Sequence, residues 1–197
     1  MATTAPNVLT SEMQTKLSSD AFVVNTGILL CFFCTDSPLF YPVLLGAHNF
    51  VEAYYHNLNS TSKNLDQFYV DSNAKYTTAQ VKAQLVINGA AVGGPAAYLA
   101  LVEAQGADFR YEVEAYDTHV INPSFAIAMP ETGMQPKSSI MVQVTGKVNF
   151  GKGRDVFRKS FSEVFVLVPN WDAFSRNAPK NVRRFLVLSQ NYRTLMD

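Results

Sequence analysis

Asp117, His119 and Glu163 are the residues of this 197-residue chain whose types and neighbours suit acid–base chemistry. Asp117 and His119 stand two apart in EAYDTHVI, so on a strand both side chains leave the same face. Glu163 lies in SFSEVFVLVP and shares a face with Phe161, Phe165 and Leu167. A carboxylate buried among such residues has a raised pKa and can serve as a general base.

Other chemistries find less support. Cys31 and Cys34 have the C-x-x-C spacing of half a zinc site or a redox pair. His48, His56 and His119 do not complete a ligand set at a recognisable spacing, and no βαβ unit surrounds the cysteines. Neither a metal nor a cofactor is therefore expected. GKGRD lacks the length and the Lys-Ser/Thr ending of a phosphate loop.

Charge adds a different signal. Sixteen basic and sixteen acidic residues cancel, yet residues 1–146 carry 6 Lys/Arg against 12 Asp/Glu, while residues 147–197 carry 10 against 4. The basic C-terminal quarter, with Lys147, Lys152, Arg154, Arg158, Lys159, Lys180, Arg183 and Arg184, is a candidate phosphate-binding surface for RNA. Its alternative reading is ordinary solvated surface.

The elements that must position these residues are legible from periodicity. LDQFYVDSNAKY reads as a short helix, VKAQLVING as a strand ending at Asn88-Gly89, and GGPAAYLALVEAQG as a helix with Pro95 near its start and Gly106 at its end. FRYEVEAYDTHVI, IMVQVTGKVNF, SFSEVFVLVP and RRFLVLSQNYRTL then read as strands, the second alternating strictly. The segment from Asn122 to Ser139 holds three prolines and no period, so it is expected to be a long loop. Helices followed by long antiparallel strands make a single α+β domain with a strongly curved sheet. Its N-terminus, about residues 1–10, is expected to be flexible.

The apolar stretch TGILLCFFCTDSPLFYPVLLG, residues 26–46, fits neither a membrane span nor a secretion signal. Asp36 splits it, at about 2.5 to 3.5 kcal/mol for an Asp near the centre of a span. Pro38 and Pro42 interrupt it further, and no basic flank precedes it. Joining Asn25 directly to Phe50 brings Phe22, Val23, Phe50, Val51, Tyr54, Tyr55 and Leu58 into one helical stripe. Residues 26–49 therefore read as an insertion into a first helix, of the kind an unspliced intron would leave. A helical hairpin or a buried hydrophobic loop is the alternative.

The words LVINGAAV, EAYDTHVI, VTGKVNFGKGRD, SFSEVFVLVP and FLVLSQNYRTL, in that order, resemble the nuclear transport factor 2-like family. Within it they are similar to the small subunits of fungal mRNA export receptors, counterparts of the small partner of animal TAP. The resemblance covers about residues 50–195 and the helix before the insertion. It implies a cone in which a curved antiparallel sheet wraps around N-terminal helices. Yeast-type members carry a long loop after the segment matching KVNFGKGRD, whereas here the long segment is Asn122–Ser139.

The resemblance also implies a non-enzymatic role. The small subunit pairs, sheet against sheet, with a similar domain of a large subunit, and the heterodimer carries mRNA and ribosomal precursors through nuclear pores by binding Phe-Gly nucleoporins. A nuclear and pore address with shuttling to the cytoplasm follows from it, with RNA as a further candidate partner and no membrane. Strand parity, together with the family's interface arginine in NYRTL, points to Val164, Val166, Val187, Asn191 and Arg193 as interface residues. Lys152, Arg154, Arg158, Lys159, Arg183 and Arg184 are the candidate RNA-facing residues. The same fold also hosts small-molecule lyases and isomerases, which leaves a cone pocket with Asp117, His119 and Glu163 as the alternative.

Overall fold

The computed structural model describes residues 21–24, 28–31, 40–106, 109–122, 125, 138–151, 156–174, 178 and 182–195. Near the N-terminus β1 (Ala21–Val24) pairs antiparallel with β2 (Ile28–Cys31). The first long helix, α1, runs from Phe40 to Leu58. Two 3₁₀ turns (Asp66–Phe68 and Val70–Ser72) lead to the short α2 (Ala74–Thr78), then β3 (Gln84–Ile87), β4 (Ala90–Val92) and α3 (Pro95–Ala104). Four long strands complete the fold: β5 (Phe109–Asn122), β6 (Ser139–Phe150), β7 (Phe157–Pro169) and β8 (Phe185–Thr194).

The six-stranded sheet has the order β4-β3-β8-β7-β6-β5. Its pairings are antiparallel except β3 with β8, which is parallel. The β3–β4 turn is Asn88-Gly89, both at positive φ, which matches the right-handed twist of the flanking strands. The expected helix over LDQFYVDSNAKY is instead two 3₁₀ turns and five α-helical residues.

Helix α1 buries Val43, Ala47, Phe50, Val51, Tyr54, Tyr55 and Leu58, a stripe at helical spacing that packs on the concave face of the sheet. From Phe50 onward this is the stripe read from the sequence. Its N-terminal half differs. Residues 40–49 supply the first turns of the helix, where the joined reading expected residues before Asn25, and residues 21–24 are a strand. Pro42 is tolerated because it lies in the first turn, whose N–H groups have no intrahelical acceptor. Gly46 faces the ring of Phe185, and a Cβ there would sit 2.4 Å from Phe185 Cε2. Absence of a side chain lets α1 approach the start of β8.

The main core lies between α1 and the concave face. It is unusually aromatic: Phe50, Tyr54, Phe68 and Phe165 meet with centroids 5.0–6.1 Å apart, and Tyr55, Tyr111, Phe161 and Tyr192 form a second group. A smaller core of Val70, Tyr76, Val168, Trp171 and Leu186 covers one end of the opposite face. Tyr76 stacks on Trp171, and Phe125, from the long loop, stacks on Trp171 as well. Residues 123–124 and 126–137 lie outside the described residues.

Candidate protein-interaction face

Alternation along β5 to β8 sends two sets of side chains to opposite sides of the sheet. Phe161, Glu163, Phe165 and Leu167 of β7 are buried beneath the helices, whereas Ser162, Val164 and Val166 point outward and are only half-buried. Pairing extends the outward set across the sheet. Val164 lies opposite Gln143 of β6 and Asn191 of β8, and Val166 lies opposite Met141 and Ser189. Val86 of β3, opposite Asn191, continues the row. The result is an apolar strip of Val86, Val164, Val166 and Met141, set among Gln143, Ser162, Ser189, Asn191 and Arg193. Arg193 pairs in register with Ser162, is exposed, and has no ion pair among the described residues.

Four of the five expected interface residues therefore share this face, and Val187 does not. Between Val166/Ser189 and Leu167/Val187 the register shifts, and Leu188 is left without an opposite residue. Such a bulge reverses the parity of what precedes it on β8. Val187 is thereby turned into the main core, fully buried, while Leu186 and Leu188 pack with the smaller core on the other side.

Register also separates the expected catalytic set. Asp117 pairs with Gln143, and His119 with Met141, so both project from the outward face. There they pair with each other, His119 Nε2 lying 3.3 Å from Asp117 Oδ2, both well exposed. Glu163 is on the concave side and fully buried. The three cannot meet in one cavity.

Glu163 is instead the centre of a buried polar network. Tyr55 donates its hydroxyl to Oε2, and Gln190 Nε2 donates to Oε1 at 2.6 Å. The same Nε2 reaches Tyr54 Oη at 3.0 Å, Tyr69 donates to Gln190 Oε1 at 2.5 Å, and the Tyr54 and Tyr69 hydroxyls lie 3.0 Å apart. Burial pushes the Glu163 carboxyl up to about 7, and the hydrogen bonds from Tyr55 and Gln190 oppose that rise. The phenols of Tyr54, Tyr55 and Tyr98 are raised well above their usual value by the same loss of solvent. Among the described residues, the groups that bond Glu163 are the side chains of Tyr55 and Gln190, both packed inside the core. Tyr55 and Gln190 are not among the residues that the sequence singles out for a site, although strand alternation puts Gln190 on the same side as Tyr192.

The basic surface read from the C-terminal quarter divides. Arg158 and Lys159 open β7 and, as neighbours on a strand, face opposite sides; Arg183 and Arg184 precede β8. Antiparallel pairing puts those two pairs beyond opposite ends of the β7–β8 ladder, 11 to 12 residues apart along β7, roughly 35 to 40 Å at the rise of a strand. Lys152 and Arg154 lie outside the described residues. Lys159 sits over Phe157, 5.4 Å from the ring centroid, and Arg183 over Phe68, 3.5 Å away.

Cys31 ends β2, and Cys34 falls outside the described residues. No group of three or more metal-ligating side chains occurs among the described residues, nor is any helix there long and apolar enough to cross a membrane.

Residues 46–176 match the family model of the nuclear transport factor 2 (NTF2) domain. Among solved structures, the chain is similar to Mtr2 in "Sac3N peptide bound to Mex67:Mtr2", with 31% identity and a TM-score of 0.71, covering 78% of this chain and 99% of that one. In "Chaetomium thermophilum Mex67 NTF2-like domain complexed with Mtr2" the values are 32% and 0.71, over 78% and 98%. "Structure of Mtr2" matches at 30% and 0.68, over 78% and 99%. No curated protein sequence matches the chain. On the strength of the family match and of these full-length likenesses, the chain belongs to the NTF2 domain family and has the NTF2-like fold.

Proposed function

We propose that this chain is the small subunit of a heterodimeric nuclear mRNA export receptor, pairing through its open sheet face with the NTF2-like domain of a Mex67-type large subunit. The observation that carries the reading is the outward strip of Val86, Met141, Val164 and Val166 between β3 and β6, bordered by the exposed Asn191 and Arg193. A half-buried apolar centre with a polar rim is the anatomy of a protein interface. Similarity to Mtr2, which has been solved together with a Mex67 NTF2-like domain, supplies the identity of the partner.

In this reading Val164 and Val166 pack against the partner sheet, Asn191 supplies a hydrogen bond, and Arg193 pairs with a partner carboxylate. Passage of mRNA and of ribosomal precursors through the pore, contact with Phe-Gly nucleoporins and a shuttling nuclear address belong to the heterodimer. The chain acts as a binding subunit and performs no catalysis of its own. Co-expression with a Mex67-type NTF2-like domain, followed by sizing and calorimetry, tests this. A stable one-to-one complex is expected, and two chains that elute separately at micromolar concentration would refute it.

A further inference from the structure

A second surface lies on the helical side of the molecule, away from the open sheet face. A cleft of about 290 Å³ opens between α1 and the segment entering β8, lined by Gly46, Asn49, Phe50, Ala53 and residues 182–185. A shallower cleft of about 510 Å³ shares Asn49 and Ala53 with it and reaches Glu52 and His56. Together they follow one side of α1 from Gly46 to His56. At 1.5 Å per residue that is roughly 15 Å, the span of four or five residues of extended chain.

The chemistry of this groove is uneven along its length. Its floor near β8 is apolar, from Phe50, Ala53 and Phe185. Above that floor stands Arg183, held at two points: its carbonyl accepts from Asn170 Nδ2 at 2.9 Å, and its guanidinium carbon lies over the Phe68 ring, 3.5 Å from the centroid. Arg183 Nε is buried and has no hydrogen-bond partner among the described residues. A charged donor withdrawn from water without an acceptor is costly, and burial lowers the guanidinium's own pKa for the same reason. Arg184 adds positive charge at this end, while Glu52 lies at the other.

We propose that the groove along α1 binds an extended peptide segment of a partner protein, carrying a carboxylate for Arg183 next to a bulky apolar side chain for the Phe50–Ala53–Phe185 floor. The carboxylate pairs with the part of the half-buried guanidinium that lines the groove, and the contact with Phe68 holds that group in place before the ligand arrives, so little ordering is needed on binding. The arginine end dictates where the acidic residue sits. A compact anion would use that end alone and leave the apolar floor and the second cleft empty.

The test is an NMR titration of the ¹⁵N-labelled full chain with the peptide Ac-Asp-Phe-Asp-Leu-NH₂, its Asn-for-Asp counterpart and inorganic phosphate. The acidic peptide is expected to shift the amides of Asn49, Ala53, Arg183 and Phe185, and the Asn peptide to bind at least about ten-fold more weakly. Arg183→Gln should abolish the shifts. Because Arg183 also packs on Phe68, Ala53→Leu provides a second variant that fills the cleft from a half-buried helix position, and it should abolish them too. No shift at millimolar peptide, equal binding of the Asn peptide, or phosphate reproducing all of the peptide's shifts would each overturn the proposal.

Discussion

Gln190 donates to Glu163 at 2.6 Å from the neighbouring strand, although Glu163 is paired in register with Tyr192 and Gln190 with Phe165. The contact is therefore the diagonal one between adjacent strands, within reach of a long side chain on the same face. With Tyr55 on the other oxygen, it leaves the carboxyl satisfied yet without solvent.

That arrangement makes stability depend on pH. The folded-state pKa of Glu163 is about 7, above the ordinary value of 4.5, so the native state holds a proton that the unfolded chain releases. The stabilisation is complete below about pH 4.5 and is lost as pH rises through 7, up to about 3 kcal/mol from this group. Urea unfolding at pH 5 and pH 8 should show wild type losing more stability than Glu163→Gln across the interval. Equal losses would mean that Glu163 is not the titrating group.

The β8 bulge makes two neighbouring valines behave differently. Val166→Asp, on the open face, should weaken the complex with a Mex67-type domain while leaving the isolated fold nearly intact. Val187→Ala, in the core, should cost about 2 kcal/mol of unfolding free energy with little effect on affinity. Calorimetry and denaturant unfolding on both variants check this. An interface effect from Val187 alone would place the bulge elsewhere.

Arg193→Glu should reduce heterodimer affinity by at least about ten-fold, because a like charge opposite a partner carboxylate costs several kcal/mol when desolvated. Reversal of the partner's carboxylate to lysine should restore it. Unchanged binding in calorimetry would remove Arg193 from the interface.

Asn73 caps α2 and ties it to the segment after β7. Its Oδ1 accepts from Lys75 N at 3.0 Å, and its Nδ2 donates to Asn170 Oδ1 at 3.1 Å and Asp172 Oδ2 at 2.7 Å. Asn73→Ala removes the cap of α2 and the tie to Asn170 and Asp172, and should cost about 1 to 2 kcal/mol. Thermal unfolding with a shift no larger than that of an exposed Ala substitution would contradict the linkage.

Gly46→Ala probes where α1 begins. The added methyl meets the Phe185 ring, itself buried, and should cost about 1 to 3 kcal/mol as overpacking. If residues 40–49 were not the start of α1, the substitution would have no such effect, and unfolding would be that of wild type.

What the sequence determined by itself is what repeats locally. Strict alternation in IMVQVTGKVNF and SFSEVFVLVP defines β6 and β7, the Asn88-Gly89 pair defines the β3–β4 turn, and the apolar stripe from Phe50 to Leu58 defines most of α1. Parity within a regular strand is equally legible, and alternation alone groups Val164 with Val166 and Asn191 with Arg193 on one face of their strands. Tertiary structure alone decided everything that depends on one segment meeting another. Which face of β5 matches which face of β7 is set by register, and that puts Asp117 and His119 outside while Glu163 is inside. The bulge at Leu188 inverts the parity of Val187, and residues 40–49 become helix because Val43, Ala47 and Gly46 find a surface that accepts them. Periodicity is a property of one segment, whereas register, bulges and helix starts are settled by the packing between segments, which no single stretch of sequence contains.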